Sequence, residues 1–326
     1  MKKTRWRSIL CFVLGLFLIL EALSFVSIVI LMHSDRTIQK RNATELDFVR
    51  VRRNSLDGVV LGSSLAYMSI DPEVIEKETG EKFYVLGLPE EKMAEAYHLF
   101  RLADRRQNLK VVGIECDMLF QERSKAQEIQ DVAIEVCAQI LPIVKTHDAW
   151  KAFFPHEKSD EIRKNGFRIE KNSSESVPAD TAGYMEETDK CAPLSDYSRT
   201  ILTKICKQCR KEGIKVILFS APSVTDGSME KHNTLSRLAD ELGVAYIDFN
   251  TEDIGIDWNK DTYDGGEHLN TDGAAKVSSA FAKKLETLEA DDNRIRNDPW
   301  RNHEGYNHTG RSRADGSKRA VPNCFH

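Results

Sequence analysis

The first pattern along the chain is an apolar run from Ile9 to Met32, interrupted by one acid, Glu21. The run is 24 residues long. At about 1.5 Å of rise per residue a helix of that length reaches roughly 36 Å, enough to cross a hydrocarbon core with some tilt. Lys2, Lys3, Arg5 and Arg7 precede it. A basic flank stays in the cytoplasm, so the pattern predicts a single-pass anchor, residues 1–33, with the rest of the chain extracytoplasmic. The rival reading, a signal peptide cleaved near Ala22-Leu23-Ser24, calls for a shorter apolar core. A carboxylate at mid-membrane is costly unless neutral or partnered, so Glu21 reads either as a tolerated neutral side chain or as a contact with another membrane protein. Residues 34–56 are charged and lack Gly and Pro, which predicts a helical or extended stalk.

The pattern then changes to short apolar, β-branched runs at Val59-Val60-Leu61, Phe83 to Leu86, Val111 to Ile114, Val216 to Phe219 and Ala245 to Phe249. Each has the length of a buried strand. Between and after them, Met93, Tyr97 and Phe100, then Ile201, Ile205 and Cys209, then Leu235, Leu238 and Leu242, and finally Val277, Phe281 and Leu285 recur at helical spacing. Strands alternating with helices imply a parallel sheet, and five of them predict a three-layer, flavodoxin-like α/β domain over residues 57–288. Gly243 marks a helix stop, and Asn270 or Thr271 a helix start. The alternation fails over about 120–195, where one apolar helical stretch, Val132 to Phe154, precedes a polar segment. This predicts an insertion covering one edge of the site. Residues 289–326 are rich in Asn, Asp, Gly and Arg and predict a disordered tail outside the core.

Composition changes this picture little. With 41% hydrophobic residues in 326, the chain can bury a proper core, and 46 basic against 51 acidic residues leave a net charge of −5. No global field points to nucleic acid as a partner. The seven cysteines cannot all be paired. Cys206 and Cys209 stand as Cys-x-x-Cys late in an amphipathic helix, the wrong place for a thioredoxin-like site, and without a second pair a zinc site is unsupported, so they read as core residues. Asn42, Asn172 and Asn307 head Asn-x-Ser/Thr sequons, relevant only in a eukaryotic secretory pathway.

Candidate chemistry lies in two separated segments. Gly62-Ser63-Ser64 follows the first strand, where a small-residue turn exposes a hydroxyl at the carboxyl edge of the sheet beside free backbone N–H groups. Serine needs a base to act as a nucleophile. Asp264-Gly265-Gly266-Glu267-His268-Leu269-Asn270 stands after the last strand and before the last helix, which brings an imidazole and a carboxylate to the same edge.

On these residues the sequence resembles the SGNH, or GDSL, hydrolase superfamily, in which a Gly-Asp-Ser turn follows the first strand, a Gly the second, an Asn the third, and an Asp-x-x-His pair precedes the last helix. The resemblance covers roughly residues 56–288 without the insertion. It implies Ser64 as nucleophile, His268 as base, Asp264 as its acid, and the backbone N–H groups of Ser64 and Gly87 as oxyanion donors, with no cofactor and no metal. Residues 264–274, DGGEHLNTDGA, are most similar to the membrane-anchored branch, which includes the D-alanyl transfer protein of teichoic acid and alginate O-acetylation proteins. Two departures stand out. Asp264 lies four residues before His268 rather than three, which makes Glu267 and Asp261 fallback acids. Asp117 stands where the family has Asn, and an ionised carboxylate cannot donate to an oxyanion.

The resemblance therefore implies a serine esterase or O-acyltransferase acting on acyl esters of envelope glycans or polyols, with a membrane-bound O-acyltransferase as a candidate partner. The alternative is a catalytically degenerate domain that binds envelope glycan or scaffolds an export or acylation complex.

Overall fold

The computed structural model describes residues 2–172 and 183–296. It begins with helix α1 (Lys2–Met32), followed by the short helices α2 (Arg36–Gln39) and α3 (Ala43–Phe48). The first half of the domain runs β1 (Gly58–Gly62), α4 (Ser64–Tyr67), α5 (Pro72–Thr79), β2 (Phe83–Gly87), α6 (Met93–Arg106) and β3 (Val111–Glu115). An insertion contributes α7 (Lys125–Ile140), α8 (Ile143–Thr146), a 3₁₀ segment His147–Phe153 and a small antiparallel ribbon, β4 (Arg163–Lys164) with β5 (Phe167–Arg168). The second half runs α9 (Asp196–Glu212), β6 (Lys215–Ser220), α10 (Met229–Leu242), β7 (Ala245–Asp248) and α11 (Thr271–Arg296).

The main sheet has five parallel strands in the order β2-β1-β3-β6-β7, the flavodoxin-like order expected from the alternation of elements. Strands β1, β2 and β3 are buried along their whole length, which is why they read as continuous apolar runs. Val59 and Leu61 pack with Phe100, Ile205 and Leu238 on one face, while Val60 packs with Ile75, Phe219 and Phe281 on the other. Helices α6, α9 and α10 thus cover one face and α5 and α11 the other. Cys206 and Cys209 are free thiols buried in the first of these layers.

Local signals set the helix ends. Asp71 caps α5 by accepting from Glu73 N–H at 2.9 Å, Pro72 takes the first turn, and Gly80 at φ 78° ends the helix. At the start of α11, Asn270 Oδ1 accepts from the N–H groups of Asp272 and Gly273, both at 3.1 Å, so Asn270 rather than Thr271 is the cap.

Three expectations need correction. Residues 34–56 do not stand off as a stalk: Phe48 is buried in the main core against Tyr84, Thr44 Oγ1 donates to Gly87 O at 3.0 Å, and Arg41 is paired with Glu95. The apolar faces of the short helices drive this, since leaving Phe48 exposed would forgo about 1.5–3 kcal/mol of burial. The stretch Val132 to Phe154 is not one helix, because Pro142 has no N–H to continue α7, and the chain restarts as α8 and the 3₁₀ segment. Helix α11 continues past 288 to Arg296, and residues 297–326, most of the expected tail, lie outside the described residues.

The ribbon of the insertion lies along the outer edge of the sheet. The β4–β5 turn docks on β2, with Val85 N–H donating to Asn165 O at 2.9 Å, which closes an edge that would otherwise present unpaired backbone groups.

Candidate active site

Strand β1 ends at Gly62, whose φ of 150° suits glycine and where an added Cβ would come within 2.6 Å of Glu115 Cβ and 2.8 Å of Ala66 Cβ. The tight exit leads to Ser63, which caps α4 by accepting from Leu65 N–H at 3.3 Å, and to Ser64 at the first helical position. There the Ser64 N–H has no intrahelical acceptor, and the half-buried hydroxyl reaches the surface at the carboxyl edge of the sheet.

His268 arrives from the loop between β7 and α11. Its backbone is clamped by Tyr263 N–H donating to His268 O at 2.8 Å and by the bridge between Thr262 and Leu269. Asp264 holds the residue twice: Oδ1 accepts from the His268 backbone N–H at 2.7 Å and Oδ2 meets the ring Nδ1 at 2.6 Å. Gly265 and Gly266 lie at φ 78° and 105°, a left-handed pair that folds the four-residue spacing back on itself and brings the carboxylate within reach. With Nδ1–H donated to Asp264, Nε2 carries the lone pair and accepts from Ser64 Oγ–H at 2.7 Å. Ser64, His268 and Asp264 therefore form one hydrogen-bonded chain.

The fallback acids are placed otherwise. Glu267 Oε1 is 3.8 Å from the ring and its side chain is about half exposed. Asp261 is turned away, binding Lys276 Nζ at 2.6 Å and Asp257 N–H at 2.7 Å. Asp264, Glu267 and His268 lie close enough together to resemble a metal site, yet both imidazole nitrogens are already engaged by Ser64 and Asp264.

Gly87 does not reach the site. Its carbonyl accepts from Thr44 Oγ1 and Arg163 Nη1 on the outer side of β2, while the next residue, Leu88, donates to Gly62 O. Neighbouring residues of a strand face opposite sides, so the Gly87 N–H points away from β1 and from Ser64. The residue that lines the cleft beside Ser64 and His268 is Glu90, in the left-handed region at φ 47°. Arg41 grips the preceding carbonyls, donating to Pro89 O at 2.7 Å and Glu90 O at 3.4 Å, while its Nε binds Glu95 at 2.8 Å. A trans peptide sets each N–H antiparallel to the carbonyl before it, so the N–H groups of Glu90 and Glu91 face away from Arg41. Neither has an acceptor among the described residues. The sequence signal that could have marked this turn is Pro89-Glu90-Glu91, one residue past the second strand.

Two buried glutamates underlie the cleft and were not singled out from the sequence. Glu115 Oε2 accepts from Ser63 Oγ at 3.2 Å and Oε1 from Asp117 N–H at 2.9 Å. Burial first, then the neighbouring Asp117, pushes its carboxyl up to about 8. Glu91 accepts from Gly62 N–H at 3.0 Å, and burial, then Glu95, holds its carboxyl well above the ordinary range. Both prop the Gly62–Ser64 turn, and burial favours the protonated form of each. Asp117, in the position of the missing Asn, is bound by Lys231 Nζ at 2.6 Å. The rim is acidic, with Glu90, Asp117, Glu122, Asp226 and Glu267 facing the cleft, and Arg123 there is paired with Asp131.

No family model matches the sequence, and no curated protein matches it. Among solved structures, the chain is similar to a GDSL-like lipase from Bacteroides thetaiotaomicron at 11% identity and a TM-score of 0.41, covering 77% of this chain and 99% of that one. It is also similar to a lipase/acylhydrolase from Enterococcus faecalis at 11% identity and a TM-score of 0.38, covering 72% and 97%. At such scores these likenesses add nothing to the geometry, and the functional reading rests on this chain's own residues.

Proposed function

We propose that the protein is a serine-dependent acyl-ester enzyme of the SGNH type. The observation that carries this reading is the unbroken chain from Asp264 through His268 to Ser64, at a strand end with unpaired backbone N–H groups beside it. His268 Nε2 takes the Ser64 proton as Oγ attacks the ester carbonyl, and Asp264 fixes the tautomer and stabilises the imidazolium. The N–H groups of Ser64 and Glu90 receive the developing oxyanion, with Arg41 positioning the second donor. This replaces the family's Gly and Asn, and each such donor is worth about 2.7–4 kcal/mol of transition-state stabilisation. Collapse of the tetrahedral intermediate expels the alcohol, protonated by His268, and leaves an acyl group on Ser64 for water or a hydroxyl acceptor.

An acid-rich rim disfavours anionic substrates and favours a neutral or cationic acyl ester. With α1 as an anchor and the basic flank in the cytoplasm, the site lies outside the cytoplasm, where esters of envelope glycans or polyols are the accessible class. Transfer to such a hydroxyl, in concert with a membrane O-acyltransferase, fits an anchored enzyme better than release of the acyl group to water. The test uses the full-length chain in detergent, a fluorogenic acetyl ester and a serine-directed phosphonate. The expected result is covalent labelling on Ser64, with labelling and hydrolysis both abolished by Ser64→Ala or His268→Ala. Labelling on Ser63, or hydrolysis that survives His268→Ala, overturns the assignment.

A further inference from the structure

Helix α7 is folded inside out. Its buried face carries Asp131 and Glu135, 5% and 6% exposed, whereas Ile129, Val132, Val136 and Ile140 are 70%, 41%, 53% and 59% exposed. The buried acids are satisfied inside the protein. Asp131 pairs with Arg123 at 2.6 Å and Lys92 at 3.3 Å, and Glu135 pairs with Lys145 at 3.0 Å. The exposed residues recur every three or four positions, one stripe of a helix. A soluble helix places that stripe against a core, so this one is built for an apolar exterior.

The neighbouring elements say what that exterior is. After Pro142 the chain turns back and runs beside α1 in register. Ile143 N–H donates to Ser24 Oγ at 3.0 Å, Thr146 Oγ1 meets Ser27 Oγ at 2.6 Å, and Ala149 packs on Leu31. Above the end of α1, Lys40 binds Asp148 and Asp35 binds His156, both at 2.8 Å. The turn between α7 and α8 thus sits at the level of Ser24, eight residues before Met32, or about 12 Å down the axis of α1 at 1.5 Å per residue. Helix α1 is the one helix among the described residues long and apolar enough to cross a membrane, over Trp6–Met32. Residues 132–144 contain a single charged side chain, the inward-facing Glu135. Higher up the returning arm, Trp150, Phe153 and Phe154 are exposed, the residue types that settle at a membrane interface.

We infer that the hairpin Lys125–Phe153 is a second membrane-engaging element, which sinks the Val132–Ile140 face of α7 and the turn at Pro142 into the lipid leaflet on the domain's side. The inference rests on the reading of α1 as a membrane span. Lipid is the occupant because the apolar face is continuous with that span, at the same depth, and bears no unpaired charge for a protein partner to answer. The element is a shallow re-entrant hairpin whose acids Asp131 and Glu135 are turned into the protein and paired there. It fixes the domain at two points, so the catalytic cleft is held at a set height and tilt above the bilayer.

The test places a photo-crosslinking phenylalanine analogue at Val136 or Ile140 of the full-length protein in phosphatidylcholine–phosphatidylglycerol vesicles, with mass spectrometry of the adducts. Ala126, exposed in the first turn of α7, is the aqueous control and Phe12 in α1 the span control. Lipid adducts at Val136 and Ile140 should match those at Phe12 and exceed those at Ala126 severalfold. Lipid adducts at Phe12 alone would overturn the hairpin and leave the anchor standing, and none at any position would remove the anchor reading itself. Adducts at Val136 and Ile140 joining two copies of the chain would assign the face to an oligomer and likewise overturn the proposal.

Discussion

Helices α7 and α9 are near equals in length and both are amphipathic, yet they bury opposite faces. Helix α9 turns Ile201, Leu202, Ile205, Cys206 and Cys209 into the core against the sheet, whereas α7 buries Asp131 and Glu135 and leaves its aliphatic stripe outside. The difference lies in what each helix meets. Helix α9 meets a sheet face made of Val and Leu, while α7 meets Arg123, Lys92, Lys145 and His98. A binary pattern specifies that a helix has two faces; the neighbouring element decides which one is hidden.

The same contrast separates the site from the hairpin, and the largest effect should come at the site. Asp264→Asn should leave the fold intact and lower kcat on a model ester on the order of 10⁴-fold, because an amide no longer fixes Nδ1–H toward the acid or stabilises the imidazolium. Glu267→Gln is the companion measurement and should change kcat little. Equal losses in the two variants would mean that the acids share the role.

Next in size is a test of which apolar residues are core. Phe281 is fully buried between Phe83 and Phe219, so Phe281→Ala should cost about 3–5 kcal/mol in denaturant unfolding of the detergent-solubilised protein. Ile140→Ala removes a similarly apolar group and should change stability by less than about 0.5 kcal/mol in the same assay. A large loss at Ile140 would place that residue in a packed interface within the monomer and erase the contrast.

Arg41 offers a finer probe of the site. Arg41→Met frees the carbonyls of Pro89 and Glu90, so the oxyanion donor should lose its fixed orientation, and kcat should fall by roughly tenfold with KM little changed. Arg41→Lys should not rescue, because an ammonium cannot hold two carbonyls and Glu95 in one plane. A rise in KM at constant kcat would instead make Arg41 a substrate-binding residue.

Much of the sheet was legible because parallel strands buried on both faces announce themselves as apolar runs, and the glycine and capping signals agreed with them. The meeting of Ser64 with His268 was legible because both motifs sit at strand ends that a parallel sheet must bring to one edge. Gly87 misled because a glycine after the second strand matches the family's pattern, while the outward direction of its N–H depends on strand register. Phe48 hid in a charged segment whose few apolar residues suffice to dock it. Glu91 and Glu115 look like surface acids in sequence; only the fold reveals that one supports Gly62 and the other Ser63.

The remaining test concerns that last pair and is a matter of slope with pH. Burial, then the neighbouring Asp117, pushes the Glu115 carboxyl up from the ordinary 4.5 to about 8 in the folded protein. Below about pH 4.5 folded and unfolded chains both hold the proton, and the group adds no slope with pH. Between there and about 8 the unfolded chain releases the proton while the folded one keeps it, so stability falls steadily as pH rises, and above that the slope from this group vanishes. Glu115→Gln keeps a neutral side chain whose oxygen can accept from Asp117 N–H and whose amide can donate to Ser63 Oγ, and it does not titrate. The difference in melting temperature between variant and wild type should therefore shift in favour of the variant from about pH 5 to about pH 8 and then level off. Glu91 is raised in the same direction and is present in both proteins, so it cancels in the difference. A difference that stays constant over this range would mean that Glu115 is already ionised in the folded chain. The prop beneath Ser63 would then be a buried carboxylate held by Asp117 N–H and Lys231, and Glu115→Gln should lower stability at every pH.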